Sequence, residues 1–281
     1  MLSYRHGFHA GNHADVLKHF IWVQLLLHLT KKDKPLWVID THAGAGCYSL
    51  EQGFAVRNDE FESGIARLWS RKGLPAPLAD YVEQVRAVNP DGALRSYPGS
   101  PQFALQMTRE QDRLRFFELH TNESKALQDC FRSASRRLAV IAGDGFAGLK
   151  AVLPPPSRRG LVLIDPSYEL ASDYQAVLVA MRDALQRFAT GTYAVWYPQV
   201  QRRESEDLPS QLRRLAGGDW LDVSLEVMTP AADGFGLHGS GVFIFNPPWN
   251  LETPIRATMP TLVQALGQDE HAAFDLQFQQ T

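Results

Sequence analysis

The chain has 281 residues, 44% of them hydrophobic and 21% charged, which is typical of a soluble globular protein and excludes the disordered and fibrous classes. Its 28 basic and 31 acidic side chains give a formal net charge of −3, so a broad basic surface for nucleic acid is excluded and any such contact must be local. This length is sufficient for one large α/β domain with a sizeable core.

The cysteines and the first apolar run bear on the cellular compartment. Cys47 and Cys130 are too few and too far apart in sequence for a disulfide framework or a Cys-rich zinc site, and they suit a reducing compartment. Residues 20–29 are apolar but fewer than a membrane span needs, and Gln24 and His28 interrupt them. Because no signal-peptide pattern precedes this run, we expect a cytoplasmic protein without a membrane segment.

Residues 1–19 concentrate aromatic, cationic and imidazole side chains. His6, His9 and His13 lack the cysteine or second carboxylate that would complete a metal site, so no metal is expected. A solvated tail is one interpretation of this segment. The sharper hypothesis is an arm, containing Tyr4, that reaches a nucleic acid through stacking and phosphate neutralisation.

A helix is predicted directly after this arm. Asn12 can cap it with Asp15 at the third helical position, and apolar residues then continue to residue 29. Lys18 and His19 lie on the first turns of this helix.

Seven apolar segments predict buried strands. They are residues 36–40, 114–118, 138–141, 161–164, 193–197, 221–228 and 241–245. The first four strands end in or are followed by an acid, namely Asp40, Glu118, Asp144 and Asp165. Since the carboxyl ends of neighbouring parallel strands meet at one edge of a sheet, these acids are expected to converge on a ligand's hydroxyl and amino groups. The pattern predicts an α/β fold with a parallel sheet and helices on both faces.

A small, glycine-rich turn follows the first strand. Residues 41–46 read Thr-His-Ala-Gly-Ala-Gly, which allows the backbone to approach a nucleotide or nucleoside cofactor closely. A plain tight turn is the alternative. A phosphate loop is excluded, because no Gly-Lys-Ser/Thr follows.

The alternation of strands and helices is interrupted between residues 51 and 97. Residues 62–72 and 76–88 predict two amphipathic helices, which we interpret as a helical insertion beside the cleft or as a stabilising appendage without substrate contact. The expected organisation is an arm and the start of the main domain in 1–50, the insertion in 51–97 and the rest of the domain in 98–281. Ser100 is expected to cap the helix that begins at Pro101.

The most informative stretch is Asp165-Pro166-Ser167-Tyr168 at the end of the fourth strand. Pro166 restricts its own backbone and that of Asp165, so a carboxylate and the Pro166 carbonyl are held together as two acceptors. With the Tyr168 ring, they suit a planar group that carries an amino function. An ordinary β-turn is the alternative. Residues 246–249, Asn-Pro-Pro-Trp, are a competing candidate, but they follow a late hairpin and are better interpreted as a structural strand end or a wall of the cleft.

Several segments together resemble a known family. Residues 40–46 resemble the first motif of class I S-adenosylmethionine-dependent methyltransferases, and residues 165–168 resemble the Asp-Pro-Pro-Tyr motif of the amino-directed group among them. Four further segments are similar to the ribosomal RNA large subunit methyltransferase J family. They are residues 1–6, 9–19, 97–101 and 158–160.

This resemblance implies a Rossmann-like methyltransferase with a small helical insertion, acting on adenine N6 in 23S ribosomal RNA. It also implies a set of cofactor contacts for S-adenosylmethionine. These are Lys18, His19, His42, Ser100, Glu118, Asp144, Gly145 and Asp165. The catalytic acid falls on Asp165, with Pro166 and Tyr168 beside it, and the RNA-contacting aromatic falls on Tyr4. We further expect a monomer that acts on protein-free or early-assembly RNA.

One position departs from the family pattern, since Ser167 stands where a second proline is expected. The Asp165 carboxylate and the Pro166 carbonyl are both retained, but the backbone is less rigid without the second proline. This departure puts the turnover rate in doubt more than the type of reaction. The alternatives are transfer to another amino group, in DNA adenine or protein glutamine, a dinucleotide-dependent oxidoreductase, and a non-catalytic RNA-binding module. The oxidoreductase would leave residues 165–168 without a role.

Overall fold

The computed structural model describes residues 7, 9–51, 59–134 and 136–280. Its strands are β1 (Trp37–Asp40), β2 (Cys47–Ser49), β3 (Ser96–Pro98), β4 (Arg113–Glu118), β5 (Leu138–Ala142), β6 (Gly160–Ile164), β7 (Thr192–Gln199), β8 (Trp220–Glu226), β9 (Gly239–Phe245) and β10 (Ala273–Gln279). Its α-helices are α1 (His13–Leu29), α2 (Ala66–Trp69), α3 (Ala76–Arg86), α4 (Ser100–Met107), α5 (Thr121–Cys130), α6 (Gly145–Val152), α7 (Ala171–Arg187), α8 (Arg203–Leu215) and α9 (Glu252–Leu266).

Eight of the strands form one mixed sheet in the order β10-β8-β9-β7-β6-β1-β4-β5. Strands β5, β4, β1, β6 and β7 are parallel, whereas β9, β8 and β10 continue the sheet through antiparallel pairs. The seven predicted strands are all present, and the α/β fold class is confirmed. Two features were not predicted from the sequence, namely the edge strand β10 and the small antiparallel sheet of β2 and β3.

Helices cover both faces of the sheet. On one face α1 packs against β9, α3 and α4, and its residues from His13 to Leu26 are all buried. The predicted cap is confirmed, since the Asn12 side chain accepts a hydrogen bond from the Asp15 N–H at 2.9 Å. The other face is covered by α6, α7 and α8, which bury a separate apolar cluster. In the described part of the chain, no helix is both long and apolar enough to cross a membrane.

The region of the proposed insertion differs from the sequence prediction in one helix. The helix expected over residues 62–72 is replaced by a 3-10 helix, Glu60–Ser63, and the short α2. Gly64 separates them, because a Cβ at this position would lie 2.0 Å from the Gly11 carbonyl oxygen, which accepts a hydrogen bond from the Ile65 N–H. The second expected helix is present as α3.

The capping role expected of Ser100 was wrong. Gly99 precedes the first turn of α4, and Ser100 is the first helical residue and makes no capping hydrogen bond. Its hydroxyl donates instead to Asp40 Oδ2 at 2.6 Å. This bond ties the start of α4 to the end of β1.

Candidate active site

A cavity of about 290 Å³ lies at the carboxyl edge of the parallel strands. Most of the residues that the sequence assigned to a cofactor line it. They are Lys18, His19, His42, Ser100, Glu118, Asp144 and Asp165. The remaining one, Gly145, begins α6 beside the cavity. Sequence reasoning missed His120, Glu123, Phe146 and Asp173, which also line this cavity but belong to no motif.

The glycine turn after β1 is held against Glu118 at the end of β4. The Gly44 N–H, at a residue with φ of 59°, donates to Glu118 Oε2 at 2.8 Å, and the His120 N–H donates to Oε1 at 2.7 Å. Burial raises the pKa of the Glu118 carboxyl above its usual value, although these two N–H donors oppose the shift. The carboxylate is thereby oriented on the cavity wall, where its remaining lone pairs can accept from ribose hydroxyls.

Asp40 lies behind this wall and does not line the cavity, so the expectation that all four acids converge was wrong for this residue. It is fully buried, and its carboxylate accepts from the Ser100 hydroxyl and from the His42 N–H. Burial raises the pKa of Asp40 to about 7. Asp40 therefore supports the turn from behind, while Glu118, Asp144 and Asp165 face the ligand space.

The start of α6 forms another wall of the cavity. Asp144 caps this helix by accepting from the Phe146 N–H at 2.8 Å, and a Cβ at Gly145 would lie 2.0 Å from the Thr41 carbonyl oxygen. Only glycine therefore lets α6 approach the turn after β1 this closely. The Phe146 ring packs edge-on against the His42 ring, with 5.0 Å between the ring centroids. Burial lowers the pKa of His42 to about 4. The resulting uncharged aromatic surface suits a purine.

Three ionisable side chains meet where this cavity joins a second one. Lys18 Nζ lies 2.6 Å from Asp165 Oδ2 and 2.9 Å from Asp15 Oδ1. The Lys18 side chain is 4% exposed, Asp15 is 2% exposed and Asp165 is 13% exposed. The sequence placed Lys18 one turn into α1, but its pairing with Asp165 depends on the tertiary fold.

A buried hydroxyl chain runs from the cavity to α3. His19 Nδ1 is 2.8 Å from the Tyr97 hydroxyl, which is 2.9 Å from the Tyr81 hydroxyl. Burial raises the pKa of both tyrosines, so both hydroxyls remain protonated at neutral pH. These hydrogen bonds connect the 51–97 segment to the imidazole of His19, which lines the cavity.

The second cavity, of about 970 Å³, shares Lys18, Asp165 and Ser167 with the first. Tyr168 also lines it, and the Tyr168 hydroxyl donates to the Trp196 carbonyl at 2.7 Å. At its mouth stands Phe235, 80% exposed, between two glycines with positive φ. Sequence reasoning missed this ring and Trp196, although an aromatic residue between two glycines is a signal that could have been used.

The N-terminal arm is described only in part. Tyr4 and His6 lie outside the described residues. His9 Nδ1 lies 2.9 Å from Glu60 Oε2, and both side chains line the second cavity. Across the chain as described, no three His, Cys, Asp or Glu side chains are grouped so as to hold a metal ion.

The competing tetrapeptide at residues 246–249 lies away from both cavities. Strand β9 runs antiparallel to β7, so its carboxyl end lies at the opposite edge of the sheet. The Asn246 amide donates to the carbonyls of Ala189 and Gly191 at 2.7 Å. Residues 246–249 thus form a structural strand end.

Sheet order and site geometry together define the class of protein. A parallel sheet that continues through an antiparallel hairpin, with a glycine turn after β1 and an oriented acid after β4, is the arrangement of class I S-adenosylmethionine-dependent methyltransferases. The cavity fits this cofactor, because the His42 and Phe146 rings offer an aromatic surface for a purine and Glu118 presents a carboxylate for ribose hydroxyls.

Comparison with known proteins identifies the family. Residues 33–277 match the family model described as "Ribosomal RNA large subunit methyltransferase D, RlmJ". Ribosomal RNA large subunit methyltransferase J of Escherichia coli (strain K12) is 47% identical to this chain, and the match covers 93% of each protein. The protein of the same name from Haemophilus influenzae is 43% identical, and the match covers 95% of this chain and 94% of that protein. Protein LPL1258 from Legionella pneumophila, a solved structure, superposes with a TM-score of 0.88 at 35% identity and covers 96% of this chain and 98% of its own. The chain belongs to this family of S-adenosylmethionine-dependent ribosomal RNA methyltransferases.

Proposed function

We propose that the protein transfers a methyl group from S-adenosylmethionine to the N6 amino group of an adenosine in 23S ribosomal RNA. The observation that carries this proposal is the position of Asp165, whose side chain lines both the cofactor cavity and the larger cavity beside it. The names of the curated relatives support large-subunit ribosomal RNA as the substrate.

The chemistry required at the target is activation of a weak nucleophile. The lone pair of an adenine amino group is delocalised into the ring. Asp165 and the Pro166 carbonyl accept its two N–H protons, which draws the nitrogen towards a tetrahedral geometry and stabilises the positive charge that develops on it. The cofactor, when bound, supplies the electrophilic methyl group.

Lys18 and Tyr168 hold this arrangement. With Nζ 2.6 Å from Oδ2, Lys18 keeps the Asp165 carboxylate oriented. Tyr168 is held by the hydrogen bond from its hydroxyl to the Trp196 carbonyl, and it lines the larger cavity. The target base enters there, which requires it to leave any helical stack.

The RNA contact is local rather than a broad electrostatic surface. The exposed ring of Phe235 offers a stacking platform at the mouth of the larger cavity, and Arg202 lines the same cavity. Tyr4, in the N-terminal arm, is proposed to contact the same RNA. With a net charge of −3, the protein suits a compact RNA element that is reachable before ribosomal proteins cover it. We propose a monomer that works in the cytoplasm on protein-free or early-assembly RNA.

Transfer of labelled methyl from S-adenosylmethionine to protein-free 23S RNA lacking the modification tests this function. The wild type is expected to place label at one site as N6-methyladenosine, and Asp165→Ala is expected to lower turnover by at least about 100-fold, because an acceptor aimed at the developing charge is lost. Circular dichroism and the denaturant unfolding curve of the variant serve as the folding control. Near-normal turnover by Asp165→Ala contradicts the assignment of the acid, and label on DNA or peptide glutamine instead of RNA contradicts the substrate.

Ser167→Pro tests the departure from the family motif. The Ser167 N–H makes no hydrogen bond to the described residues, so proline removes no bond and restricts both its own φ and the conformation of Pro166. We expect a stability gain of about 0.4–1 kcal/mol and turnover that rises a few-fold, measured by denaturant unfolding and by methyl transfer. Ser167→Ala is the matched control for loss of the hydroxyl alone. Slower turnover in both variants would show that the hydroxyl itself contributes to the reaction.

A further inference from the structure

Loops at the amino edge of the sheet bring together cationic side chains that line neither of the two cavities described above. Strands β4, β1 and β6 are parallel neighbours, and Trp37 pairs with Arg113 on one side and with Gly160 on the other. The segments that precede these three strands therefore meet at one place, on the edge of the sheet opposite the cofactor cavity. Their cations form a basic patch, which consists of Lys31, Lys32, Lys34, Arg109, Arg113, Arg158 and Arg159.

Two arginines of the basic patch fix the loop between α1 and β1. Arg109 Nη1 and Nη2 donate to the carbonyls of Lys32 and Lys34 at 2.6 and 3.3 Å. The Arg159 guanidinium donates to the same two carbonyls, and its Nη2 also donates to the Leu29 carbonyl at 2.5 Å. These hydrogen bonds hold the loop by its backbone, so they do not engage the lysine side chains.

The three lysines of this loop are exposed and have no ion-pair partner. Lys31, Lys32 and Lys34 form no ion pair with any residue that the structure describes. The chain has seven lysines in 281 residues, and three of them fall within residues 31–34, although the net charge is −3. Like charges this close repel each other, and an anion that binds among them relieves the repulsion. The loop therefore favours anionic ligands.

The acids of the same loops do not neutralise these lysines. Asp33 accepts a hydrogen bond from the neutral amide of Gln111 at 3.1 Å, and Asp112 is buried and paired with Arg109 at 2.9 Å. Glu110 is exposed and forms no ion pair within the described ranges of the chain. The basic patch thus keeps an excess of positive charge.

We propose that the basic patch binds the phosphate backbone of ribosomal RNA, at a segment distant from the methylated nucleotide. Lysine ammonium groups bind phosphates as point charges, and phosphate contacts carry no direct information about base sequence, which suits a second contact on a long substrate. The proposal rests on ribosomal RNA being the substrate, as in the proposed function, but not on which nucleotide or amino group is methylated.

The distance between the basic patch and the catalytic acid gives the patch a role in binding alone. Helix α1 has 17 residues and leads from Lys18, which pairs with Asp165, to the loop that begins the patch. At the rise of an α-helix, this separates Lys31 from Lys18 by about 20 Å. A folded ribosomal RNA covers such a distance, whereas a single nucleotide in the cavity does not. The patch therefore raises the affinity for RNA without acting on methyl transfer itself.

The test replaces the three loop lysines and measures binding of protein-free 23S RNA at several salt concentrations. Lys31→Ala/Lys32→Ala/Lys34→Ala is expected to bind at least about 10-fold more weakly, and the slope of log Kd against log salt should fall by about 2, because three phosphate contacts are lost. S-adenosylmethionine affinity should be unchanged. Because RNA binding is measured directly, the result does not depend on whether the protein methylates adenine N6.

Two matched variants separate a local contact from an effect of net charge. Lys72→Ala/Lys125→Ala/Lys150→Ala removes the same charge from exposed lysines elsewhere and should bind RNA nearly as the wild type does. Lys31→Arg/Lys32→Arg/Lys34→Arg keeps the charge of the loop and should also bind RNA like the wild type.

Three results would overturn the proposal. An equal loss of affinity in the two alanine variants shows that net charge alone is responsible. Weak RNA binding by the arginine variant shows that the charge of the loop is not what binds. Unchanged RNA affinity in the variant of residues 31, 32 and 34 excludes RNA as the partner of the basic patch, and an acidic protein surface would then be the candidate.

Discussion

Replacing Lys18 by methionine is expected to lower the free energy of unfolding by ~3–5 kcal/mol, because it leaves two buried carboxylates without their shared cation. Lys18 is 2.6 Å from Asp165 and 2.9 Å from Asp15, and all three side chains are largely removed from solvent. Methionine occupies most of the volume of the buried lysine side chain, so the substitution removes the positive charge and leaves the packing largely unchanged. Denaturant unfolding with an unchanged m-value would measure the loss.

The double variant Lys18→Met with Asp15→Asn separates the charge effect from a general disruption of α1. It also removes the negative charge of Asp15 while preserving an acceptor for the Gly11 N–H, which donates to Asp15 Oδ2 at 2.9 Å. We expect the double variant to recover a substantial part of the lost stability, although methyl transfer should stay impaired because Asp165 still lacks its partner. If the double variant is as unstable as the single one, the loss does not come from the buried charges.

The same ion cluster illustrates what the sequence could and could not predict. The cap at Asn12 and the positions of Asp15 and Lys18 on the first turns of α1 follow from local signals, and the structure confirms the cap. The partner of Lys18, Asp165, lies 147 residues away, and no local pattern indicates that their side chains meet. Tertiary packing of α1 across the sheet brings them together.

The strands, too, were predictable only where the local sequence carries a signal. Central parallel strands are buried on both faces, so β1 and β6 appear in the sequence as continuous apolar runs with an acid at or just after the end. Strands β2 and β3 have three residues each and exist because they pair with each other across 46 intervening residues, so no local signal predicts them. The break at Gly64 likewise depends on contact with Gly11. Contacts between segments distant in the chain account for what the sequence did not predict.

Asp40→Asn is expected to remove a pH dependence of stability of up to about 4 kcal/mol. Burial raises the pKa of Asp40 from its ordinary 3.8 to about 7, so the folded protein holds this proton more tightly than the unfolded chain does. The stabilisation from the protonated acid is therefore present in full below about pH 4, and it declines as the pH rises to about 7, where the buried carboxyl ionises. Asparagine cannot ionise and keeps the shape of the side chain.

The measurement is the difference in unfolding free energy between wild type and Asp40→Asn at several pH values from 4 to 8. Titration of all other groups is common to both proteins, so the difference isolates Asp40. The wild type should lose stability relative to the variant as the pH rises through this range, with little further change above about pH 7. A difference that is constant with pH would show that Asp40 is ionised throughout, held in that state by the donors it accepts from, the Ser100 hydroxyl and the His42 N–H. Those two bonds join Asp40 to Ser100 and His42, which both line the cofactor cavity. Ionisation of this one buried acid therefore affects both the stability of the fold and the cavity wall that holds the methyl donor.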